Sequence, residues 1–436
     1  MKLINEITSP DLNLRPIQWR HRPLRVLFVS DGPWTTSGYG KQSKFIVPIL
    51  RQLGVDVAFL TSYGVQGATW KWVVGKDSEV PIYPTGHDAF SNDIIPVVAE
   101  HWKADVVITL KDVPVYSVEM MEKHVIRWAP MVPVDHDPLT NAVMKAMQVA
   151  WCPIAYAPHG LRALRGAGFR PLYAPHTYDH NVFSPGDRAK AREILGWPMD
   201  RYIVATVAVN RGGLPSRKAW PQMVEGVGEA VKKNNNILWY AHTSIAQDGY
   251  EGGVDLYQLC HTHGLANHVF FPDQHRYRYF TFDEEFVANI YRAADVLLAT
   301  SIGEGFGVPI LEAQACGIPV IIGNWTAMED LLFDGVSLRK DEAFHYFDQQ
   351  GAIVYLPYPE AIGNAIIAMT ERTKAVQGRL LDDNINPAVI GAEAYSINRV
   401  AEHWRQVIET MESMIIDNEN PAIHRVIAPL RDRITS

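Results

Sequence analysis

The sequence is poor in cysteine. Three cysteines, Cys152, Cys260 and Cys316, occur in 436 residues. Their wide spacing offers neither the paired pattern of a metal site nor the density of a disulfide framework. We therefore expect free thiols in a reducing compartment.

Long apolar runs and an excess of positive charge are also missing. No stretch approaches the ~18 apolar residues that cross a bilayer, and residues 1–25 lack the apolar segment of a signal peptide. The sequence thus predicts a cytoplasmic protein. A formal net charge of -8 gives no strong nucleic-acid signal. Two basic clusters leave open a peripheral contact with a membrane or an anionic acceptor, although solvated surface is the commoner role. They are Arg15, Arg20, His21, Arg22 and Arg25, and Arg162, Arg165 and Arg170.

The length and the order of apolar segments predict an α/β protein of two domains. A chain of 436 residues exceeds what one hydrophobic core usually serves. Strand candidates alternate with helical stretches twice, at 26–30, 55–60, 106–110, 126–130 and 153–156, and again at 203–208, 237–241, 269–271, 296–300 and 320–323. This alternation indicates two doubly wound, Rossmann-like parallel sheets. We place the domains at 1–180 and 181–395, followed by a segment, 396–436, that contains a long helix at 398–415 and a polar tail.

The most informative stretch is residues 301–312, Ser-Ile-Gly-Glu-Gly-Phe-Gly-Val-Pro-Ile-Leu-Glu. An apolar strand candidate precedes it, and a helix with Pro309 in its first turn begins within it. Glycines and a helix N-terminus favour a bound anion, whereas the carboxylates of Glu304 and Glu312 suit hydroxyl groups. A nucleotide sugar offers both kinds of group. An ordinary strand-to-helix turn is the alternative interpretation.

The segment from Glu304 to Glu312 resembles the Glu-x7-Glu motif of the retaining glycosyltransferases of family 4. The similarity continues through Ala313–Ile321, and a weaker one covers about residues 25–415, including Arg25–Ser30 and Val204–Val209. The resemblance implies the GT-B fold, in which two Rossmann-like domains face each other across a cleft. It also implies an acceptor-side first domain, a nucleotide-sugar-binding second domain, and a C-terminal helix that crosses back to the first domain.

The same resemblance implies roles for individual residues of the second domain. Glu304 would face the donor sugar, Glu312 the ribose, and Arg211 and Lys218 the diphosphate, with Arg217 as a substitute cation. The order Asn210-Arg211-Gly212-Gly213 departs from the family's Gly-Arg order, which makes Arg211 the weaker candidate of the two cations. Backbone contacts to the sugar or phosphate would come from Gly305, Phe306 and Gly307.

In the first domain, a glycine loop and a histidine are candidates. Gly38 and Gly40 could bring backbone amides to the phosphate or the acceptor, and Tyr39 could stack on a sugar. Asp135-His136-Asp137 has two interpretations. It resembles the metal-binding Asp-x-Asp of the other major glycosyltransferase fold, or His136 is the family's histidine that bonds the sugar. We prefer the second interpretation, because the basic loop and the helix N-terminus already supply the charge that a metal would.

These observations predict a retaining, metal-independent glycosyltransferase without a cofactor, which moves a hexose from a nucleotide-diphosphate sugar to an acceptor hydroxyl. Its predicted catalytic residues are Glu304, His136, Arg211 and Lys218. A GT-B enzyme of the phosphorylase or epimerase type, or a non-catalytic nucleotide-sugar-binding protein, is the alternative. The acceptor could be a glycan, a lipid, a protein or a hydroxylated DNA base. The mixed basic and aromatic segment 275–280 could hold the base, touch the acceptor or cover a surface.

Overall fold

The computed structural model of the protein describes residues 12, 14–63, 67–74, 78–213, 215–245, 252–279, 281–376 and 386–417. The chain divides into two compact units. Unit 1 consists of residues 1–177 and 397–436, and unit 2 consists of residues 178–396. The domain boundaries predicted from the sequence were at 180/181 and 395/396. From residue 418 onward, the predicted polar tail lies outside the described residues.

Unit 1 is a parallel sheet whose strands are joined by helices. Its described strands are β1 (Arg25–Asp31), β2 (Asp56–Tyr63), β3 (Trp70–Val74), β4 (Ser78–Tyr83), β5 (Val106–Leu110), β6 (Trp128–Val132), β7 (Ile154–Ala155) and β8 (Leu172–Tyr173). Its described helices are α1 (Gly38–Gln52), α2 (Ile95–Trp102), α3 (Val118–Lys123), α4 (Asn141–Val149), α5 (Pro158–Gly166) and a last helix, Ile397–Ile416. The strand order is β3-β4-β2-β1-β5-β6-β7-β8.

The central strands of unit 1 follow from their uninterrupted apolar sequences. Every residue of β5 and β6 is buried, as expected for strands that are covered on both faces. All neighbouring pairs in the sheet are parallel except β3 with β4, which are antiparallel. The sequence analysis did not predict this edge hairpin, because its residues alternate between buried and exposed positions in segments of five and six residues.

The long helix predicted at 398–415 is present as Ile397–Ile416 and belongs to unit 1. It packs on α1 and β8. Its side chains Trp404, Val400 and Ile408 are fully buried. The helix therefore completes the core of unit 1, although some 220 residues separate it in sequence from the rest of that unit.

Unit 2 contains a six-stranded parallel sheet within its described residues. The strands are β9 (Tyr202–Val207), β10 (Ile237–His242), β11 (Val269–Phe270), β12 (Val296–Ala299), β13 (Val320–Gly323) and β14 (Gly335–Leu338), in the order β11-β10-β9-β12-β13-β14. Its helices are α6 (Arg188–Leu195), α7 (Trp220–Lys233), α8 (Leu256–Thr262), α9 (Gln274–Arg278), α10 (Glu284–Ala293), α11 (Val308–Ala315), α12 (Pro359–Val376) and α13 (Pro387–Glu393), so that the last helix of unit 1 is α14. An unpredicted antiparallel hairpin, β15 (Ala343–Phe347) with β16 (Ile353–Pro357), follows β14.

A buried ion pair fixes the entry of the chain into the second sheet. The guanidinium of Arg192 in α6 donates to Asp295 Oδ2 at 2.8 Å, and the same oxygen accepts the Ile203 N–H at 2.7 Å. Arg192 and Asp295 are both buried. Burial raises the pKa of Asp295, and the charges of its arginine partners oppose this increase. The pair holds α6 beside the start of β9 and β12, far from the carboxyl ends of those strands.

The predicted helix after the glycine loop is present as α11, with Pro309 in its first turn as expected. Gly307 occupies the N-cap with a φ of 105°, a conformation that an L side chain adopts only with strain. Pro309 follows in the first turn, where its missing N–H removes no helical hydrogen bond. Cys316 is the C-cap, and Gly317 follows it with a φ of 87°. The sequence therefore sets both ends of this helix.

The three cysteines are free and buried. Burial raises the pKa of the Cys152 and Cys260 thiols to about 12, which leaves them protonated and unreactive near neutrality. Among the helices of the described segments, none combines the length and the apolar composition that a bilayer crossing requires.

Candidate active site

The carboxylate of Glu304 lies in a charged cluster at the carboxyl end of β12. Ser301 Oγ donates to Glu304 Oε1 at 2.6 Å, and the Lys218 ammonium forms an ion pair with the same oxygen. Arg217 Nη1 lies 3.4 Å from Glu304 Oε2. The Glu304 N–H donates to Thr326 Oγ1 at 3.1 Å. Backbone and side chain of Glu304 are therefore both held in place.

The two cations come from the loop between β9 and α7. Ile302 N–H donates to the Arg217 carbonyl at 3.0 Å, and Arg217 Nη1 also lies 3.3 Å from the Gly303 carbonyl oxygen. These bonds join the loop after β9 to the loop after β12. The two strands are parallel neighbours in the sheet. From β9 the chain continues to β10 on one side, whereas β12 and β13 lie on the other, so the cluster sits at the point where the strand order reverses. Ligands of open parallel sheets bind at such points.

The cluster keeps Glu304 ionised. Burial alone would raise its pKa, but the charges of Lys218 and Arg217, with hydrogen bonds from Lys218 and Ser301, outweigh burial and lower the pKa to about 2. The side chain is 14% exposed, and that of Lys218 is 15% exposed. A permanently charged carboxylate beside two cations can accept hydrogen bonds from hydroxyls, while the cations can be drawn to a competing anion.

Glu312 has a different set of neighbours from Glu304. It lies one turn inside α11, is 3% exposed, and accepts a hydrogen bond from the Tyr291 hydroxyl at 3.1 Å. Burial raises the pKa of Tyr291 well above its usual value, and the Glu312 charge raises it further. The structure thus places Glu312 against α10, whereas Glu304 contacts the loop after β9. Tyr291 is a residue that sequence reasoning missed, because a tyrosine on an amphipathic helix carries no sign of a polar partner.

Residues 305–307 form the turn into α11. The ring of Phe306 is buried and contacts Tyr395 edge-on, with 5.6 Å between ring centroids. Only the main chain of Phe306 is therefore available for the backbone contact that the sequence predicts for Gly305, Phe306 and Gly307.

Arg211 lies on the exposed part of the loop after β9. The loop is anchored at Asn210, whose side-chain amide donates to the carbonyl oxygens of Ser244 and Val254 at 3.1 and 2.7 Å. The neighbouring Gly212 forms a bridge with Gly252. Within the described chain, the cations that pair with Glu304 are Lys218 and Arg217. The structure therefore joins the predicted substitute, rather than Arg211, to the predicted sugar-binding acid.

The candidates of unit 1 lie around the start of α1. Ser37 caps this helix by accepting the Gly40 N–H at 3.0 Å. The Tyr39 hydroxyl donates to Asp112 Oδ1 at 2.7 Å. A Cβ on Gly40 would lie 2.7 Å from the Gly32 carbonyl oxygen and 2.0 Å from Thr35 Oγ1, whereas a Cβ on Gly38 would meet no atom within 4 Å. Only Gly40 is thus required by close packing.

His136 uses both of its ring nitrogens. Nδ1 lies 2.8 Å from Asp135 Oδ1, and Nε2 accepts the Thr140 N–H at 3.3 Å. This arrangement implies a proton on Nδ1 and a lone pair on Nε2. To bond a sugar, Nε2 must exchange the long hydrogen bond with Thr140 for one with the ligand. Asp135 is likewise engaged with His136.

The basic and basic-aromatic segments noted in the sequence have partners within the chain. Arg22 makes a two-pronged pair with Asp105 at 2.8 Å, and the Arg25 guanidinium lies 4.6 Å from the Trp102 ring centroid. Residues 274–278 form α9, where the Arg276 guanidinium lies 4.4 Å from the centroid of Phe282. Gln274 Oε1 accepts the Ile245 N–H at 2.9 Å, which ties α9 to the end of β10.

Comparisons with known proteins agree with this architecture. Residues 206–371 match the family model described as glycosyl transferases group 1. The D-inositol 3-phosphate glycosyltransferase of Mycolicibacterium smegmatis is 32% identical over 160 residues, which are 36% of this chain and 33% of that protein. The enzyme of the same name from Geodermatophilus obscurus is 31% identical over 173 residues, 38% of this chain and 36% of that protein. The chain therefore spans little more than a third of the length of these curated relatives.

Solved structures resemble most of the chain. Sucrose-phosphate synthase from Thermosynechococcus elongatus gives a TM-score of 0.65 at 15% identity, covering 89% of this chain and 99% of that one. Anabaena HepE in complex with UDP-glucose gives 0.63 at 15% identity, covering 89% and 100%.

The two-unit architecture is thus the GT-B fold of glycosyltransferases, as the sequence predicted. The predicted family resemblance is borne out over residues 206–371, a part of unit 2 that matches the glycosyl transferases of group 1.

Proposed function

We propose that the protein is a retaining glycosyltransferase that moves a hexose from a nucleotide-diphosphate sugar to an acceptor hydroxyl without a metal. The observation that carries the proposal is the cluster of Glu304, Lys218 and Arg217 beside the start of α11. An acid held ionised by two cations, next to a helix N-terminus, offers partners for both halves of such a donor.

The donor replaces interactions that the cluster now makes internally. The diphosphate takes the charges of Lys218 and Arg217, and Glu304, released from Lys218, accepts hydrogen bonds from sugar hydroxyls. As the bond between the sugar carbon and the diphosphate oxygen breaks, the cations stabilise the charge on the leaving group. The acceptor oxygen bonds to the same carbon, and its proton passes to a phosphate oxygen.

The same charge balance supports the proposed metal independence. Two cationic side chains and the amide dipoles of α11 supply positive charge where a divalent ion would otherwise be required. The group 1 match of unit 2 supports transfer from an activated sugar. The UDP-glucose complex of HepE, whose fold this chain shares, supports a nucleoside diphosphate as the carrier.

The test is a screen of nucleotide sugars against the purified chain, with a chelator present throughout. We expect micromolar binding of one donor and release of its nucleoside diphosphate when an acceptor is added, with the anomeric configuration retained by NMR. Formation of a sugar phosphate would indicate a phosphorylase. Strict dependence on Mn²⁺ would assign the charge to Asp135 and Asp137 instead.

A matched pair of variants separates catalysis from folding. Glu304→Gln removes the charge of the predicted sugar-binding acid and should abolish most of the turnover. Glu229→Gln removes an acid from an exposed pair with Lys232 on α7 and should leave turnover unchanged. Equal turnover of the two variants would contradict the role of Glu304.

A further inference from the structure

Unit 1 has its own charged and aromatic cluster where its strand order reverses. The neighbouring strands β1 and β5 are parallel. From β1 the chain continues through α1 to β2 on one side, whereas β5 and β6 lie on the other. Asp31 ends β1, and Lys111 and Asp112 directly follow β5. We call Asp31, Tyr39, Phe90, Lys111 and Asp112 the switch-point cluster. Ligands of such sheets bind outside these strand ends.

Asp31 holds Lys111 in place. The Lys111 ammonium forms an ion pair with Asp31 Oδ1. The Ser37 hydroxyl donates to Asp31 Oδ2 at 2.7 Å, and that of Ser62 lies 3.4 Å from Oδ1. The Asp31 side chain is 6% exposed and that of Lys111 is 17% exposed. The carboxylate is therefore saturated, and the ammonium is oriented at the edge of the solvent.

Donor and acceptor groups of the cluster are left for a ligand. An ammonium has three N–H donors, and Asp31 is the one hydrogen-bond acceptor of Lys111 within the described segments. Asp112 is exposed, and its Oδ1 accepts the Tyr39 hydroxyl. Lys111 Nζ lies 5.8 Å from the centroid of the same Tyr39 ring. Lys111 thus lies at the ring face of Tyr39, and Asp112 lies at its hydroxyl.

Aromatic surface completes the cluster. Lys111 Nζ lies 5.9 Å from the Phe90 ring centroid, in addition to its contact with Tyr39. Both rings are partly exposed. Aromatic faces pack against the C–H faces of sugar and polyol rings, whose hydroxyls then point to polar groups at the rim.

The charge of the cluster selects against an anion. Asp31 and Asp112 contribute two negative charges and Lys111 one positive charge, so the formal sum is negative. The field of Asp135 also reaches Tyr39 and adds to the negative potential. A phosphate would meet this potential unfavourably, whereas a neutral hydroxyl can accept a hydrogen bond from an ammonium and donate one to a carboxylate.

We propose that the switch-point cluster binds a neutral, polyhydroxylated ligand, with neighbouring hydroxyls bonded to Lys111 and Asp112 and the ring against Tyr39 and Phe90. The identification of this ligand as the acceptor of the transfer rests on the proposed function. The binding of such a ligand to the switch-point cluster does not depend on the proposed function.

The test uses the full chain and three probes: D-glucose, myo-inositol and D-glucose 6-phosphate, followed by saturation-transfer NMR. At roughly 10 mM, above the ~1 mM dissociation constants of weak ligands, a neutral probe should bind. Lys111→Met and Asp112→Asn should each weaken this binding by about tenfold or more, because each removes a hydrogen bond to a charged group. Lys145→Met, which breaks an exposed pair with Glu119 in the same unit, should not change it.

The outcomes are separable. Tighter binding of the phosphate ester, equal binding by both cluster variants and the parent, or no binding of any probe would overturn the inference. Calorimetry with UDP-glucose on the same samples tests the proposed function independently. Loss of neutral-probe binding in the variants, in a protein that binds none of the nucleotide sugars of the donor screen, would support the cluster and contradict the transferase.

Discussion

The two units use the same edge of the same kind of sheet in opposite ways. In unit 2, Lys218 follows β9 and pairs with Glu304, which follows the neighbouring β12. In unit 1, Asp31 ends β1 and pairs with Lys111, which follows the neighbouring β5. The acid therefore lies at the end of the earlier strand of the pair in unit 1 (β1) and of the later strand in unit 2 (β12), and the lysine takes the opposite position in each unit. Parallel strands bring their carboxyl ends to one edge, so the topology alone places such pairs at the reversal of strand order.

The third charge distinguishes the two pairs. Unit 2 adds a cation, Arg217, so Glu304 faces two positive charges. Unit 1 adds an acid, Asp112, which accepts the hydroxyl of Tyr39, so this cluster contains two negative charges and one positive charge. Under the two proposals, the shared topology sets where each ligand binds, and one further side chain sets the sign of the charge that the ligand can carry.

Removing the lysine of unit 2 should have the largest effect. Lys218→Met takes away the cation nearest to Glu304, so turnover of a nucleotide sugar should fall by about 10²–10³-fold, the usual consequence of losing one transition-state partner. Steady-state kinetics with Lys232→Met, from an exposed pair on α7, as the control would measure it. A loss no larger than that of the control would remove the functional contrast between the two pairs.

The first turn of α1, which carries Tyr39 in unit 1, gives a second test. Gly40→Ala should destabilise the protein by about 1–3 kcal/mol, because its Cβ would overlap the Gly32 carbonyl oxygen. Gly38→Ala, two residues earlier with open space around it, should be nearly neutral. Urea denaturation of the two variants measures the difference in their stability. Equal stability of both variants would show that the turn relaxes freely.

Acid should distinguish the units through His176 and Glu304. Burial lowers the pKa of His176 to about 3, below its usual 6.5, so the unfolded chain binds a proton that the folded chain does not, and stability falls as the pH drops below 6.5. The pKa of Glu304, lowered to about 2, adds a loss only below about 4.5.

Between pH 8 and pH 5, the His176 contribution should therefore cost about 2 kcal/mol. His176→Phe keeps an aromatic ring against Tyr156, whose centroid lies 4.0 Å away, and should remove that loss. Denaturation of parent and variant at both pH values measures the difference. An unchanged pH dependence would show that another group governs acid sensitivity.

The smallest expected effect concerns the nucleotide product. Because Glu304 competes with a diphosphate for Lys218, Glu304→Gln should bind UDP about three to ten times more tightly, although it turns over less donor. Calorimetry with UDP tests this, with Glu229→Gln as the control. Weaker binding by Glu304→Gln would indicate that Glu304 positions Lys218 rather than competing for it.

The sequence predicted the buried parallel strands of both units better than their hairpins, and the reason is physical. Buried parallel strands such as β5, β12 and β13 are continuous apolar runs, and their boundaries were predicted to within a residue. The turn at 303–307 requires glycine at particular positions, so its motif can be recognised from the sequence alone. The hairpins β3–β4 and β15–β16 consist of short strands, and β15 has a single buried residue, so they escape the same criteria.

The charged pair of unit 1 was not predicted. Asp31 and Lys111 each directly follow an apolar strand candidate, which is the signal that could have found them, but no motif joins two residues 80 positions apart. Pairing through strand order requires the topology of the sheet. The position of Glu312 against Tyr291 escaped for a related reason, because helix spacing gives a face but not its neighbour.

The placement of α14 has a consequence for biosynthesis. Unit 2 is a continuous stretch of chain, whereas the core of unit 1 needs Trp404 from a helix that the ribosome delivers after all of unit 2. We therefore expect unit 2 to become protease-resistant before unit 1. Nascent chains stalled after residue 396 has left the exit tunnel, compared with chains stalled after residue 417, would show the order by limited proteolysis.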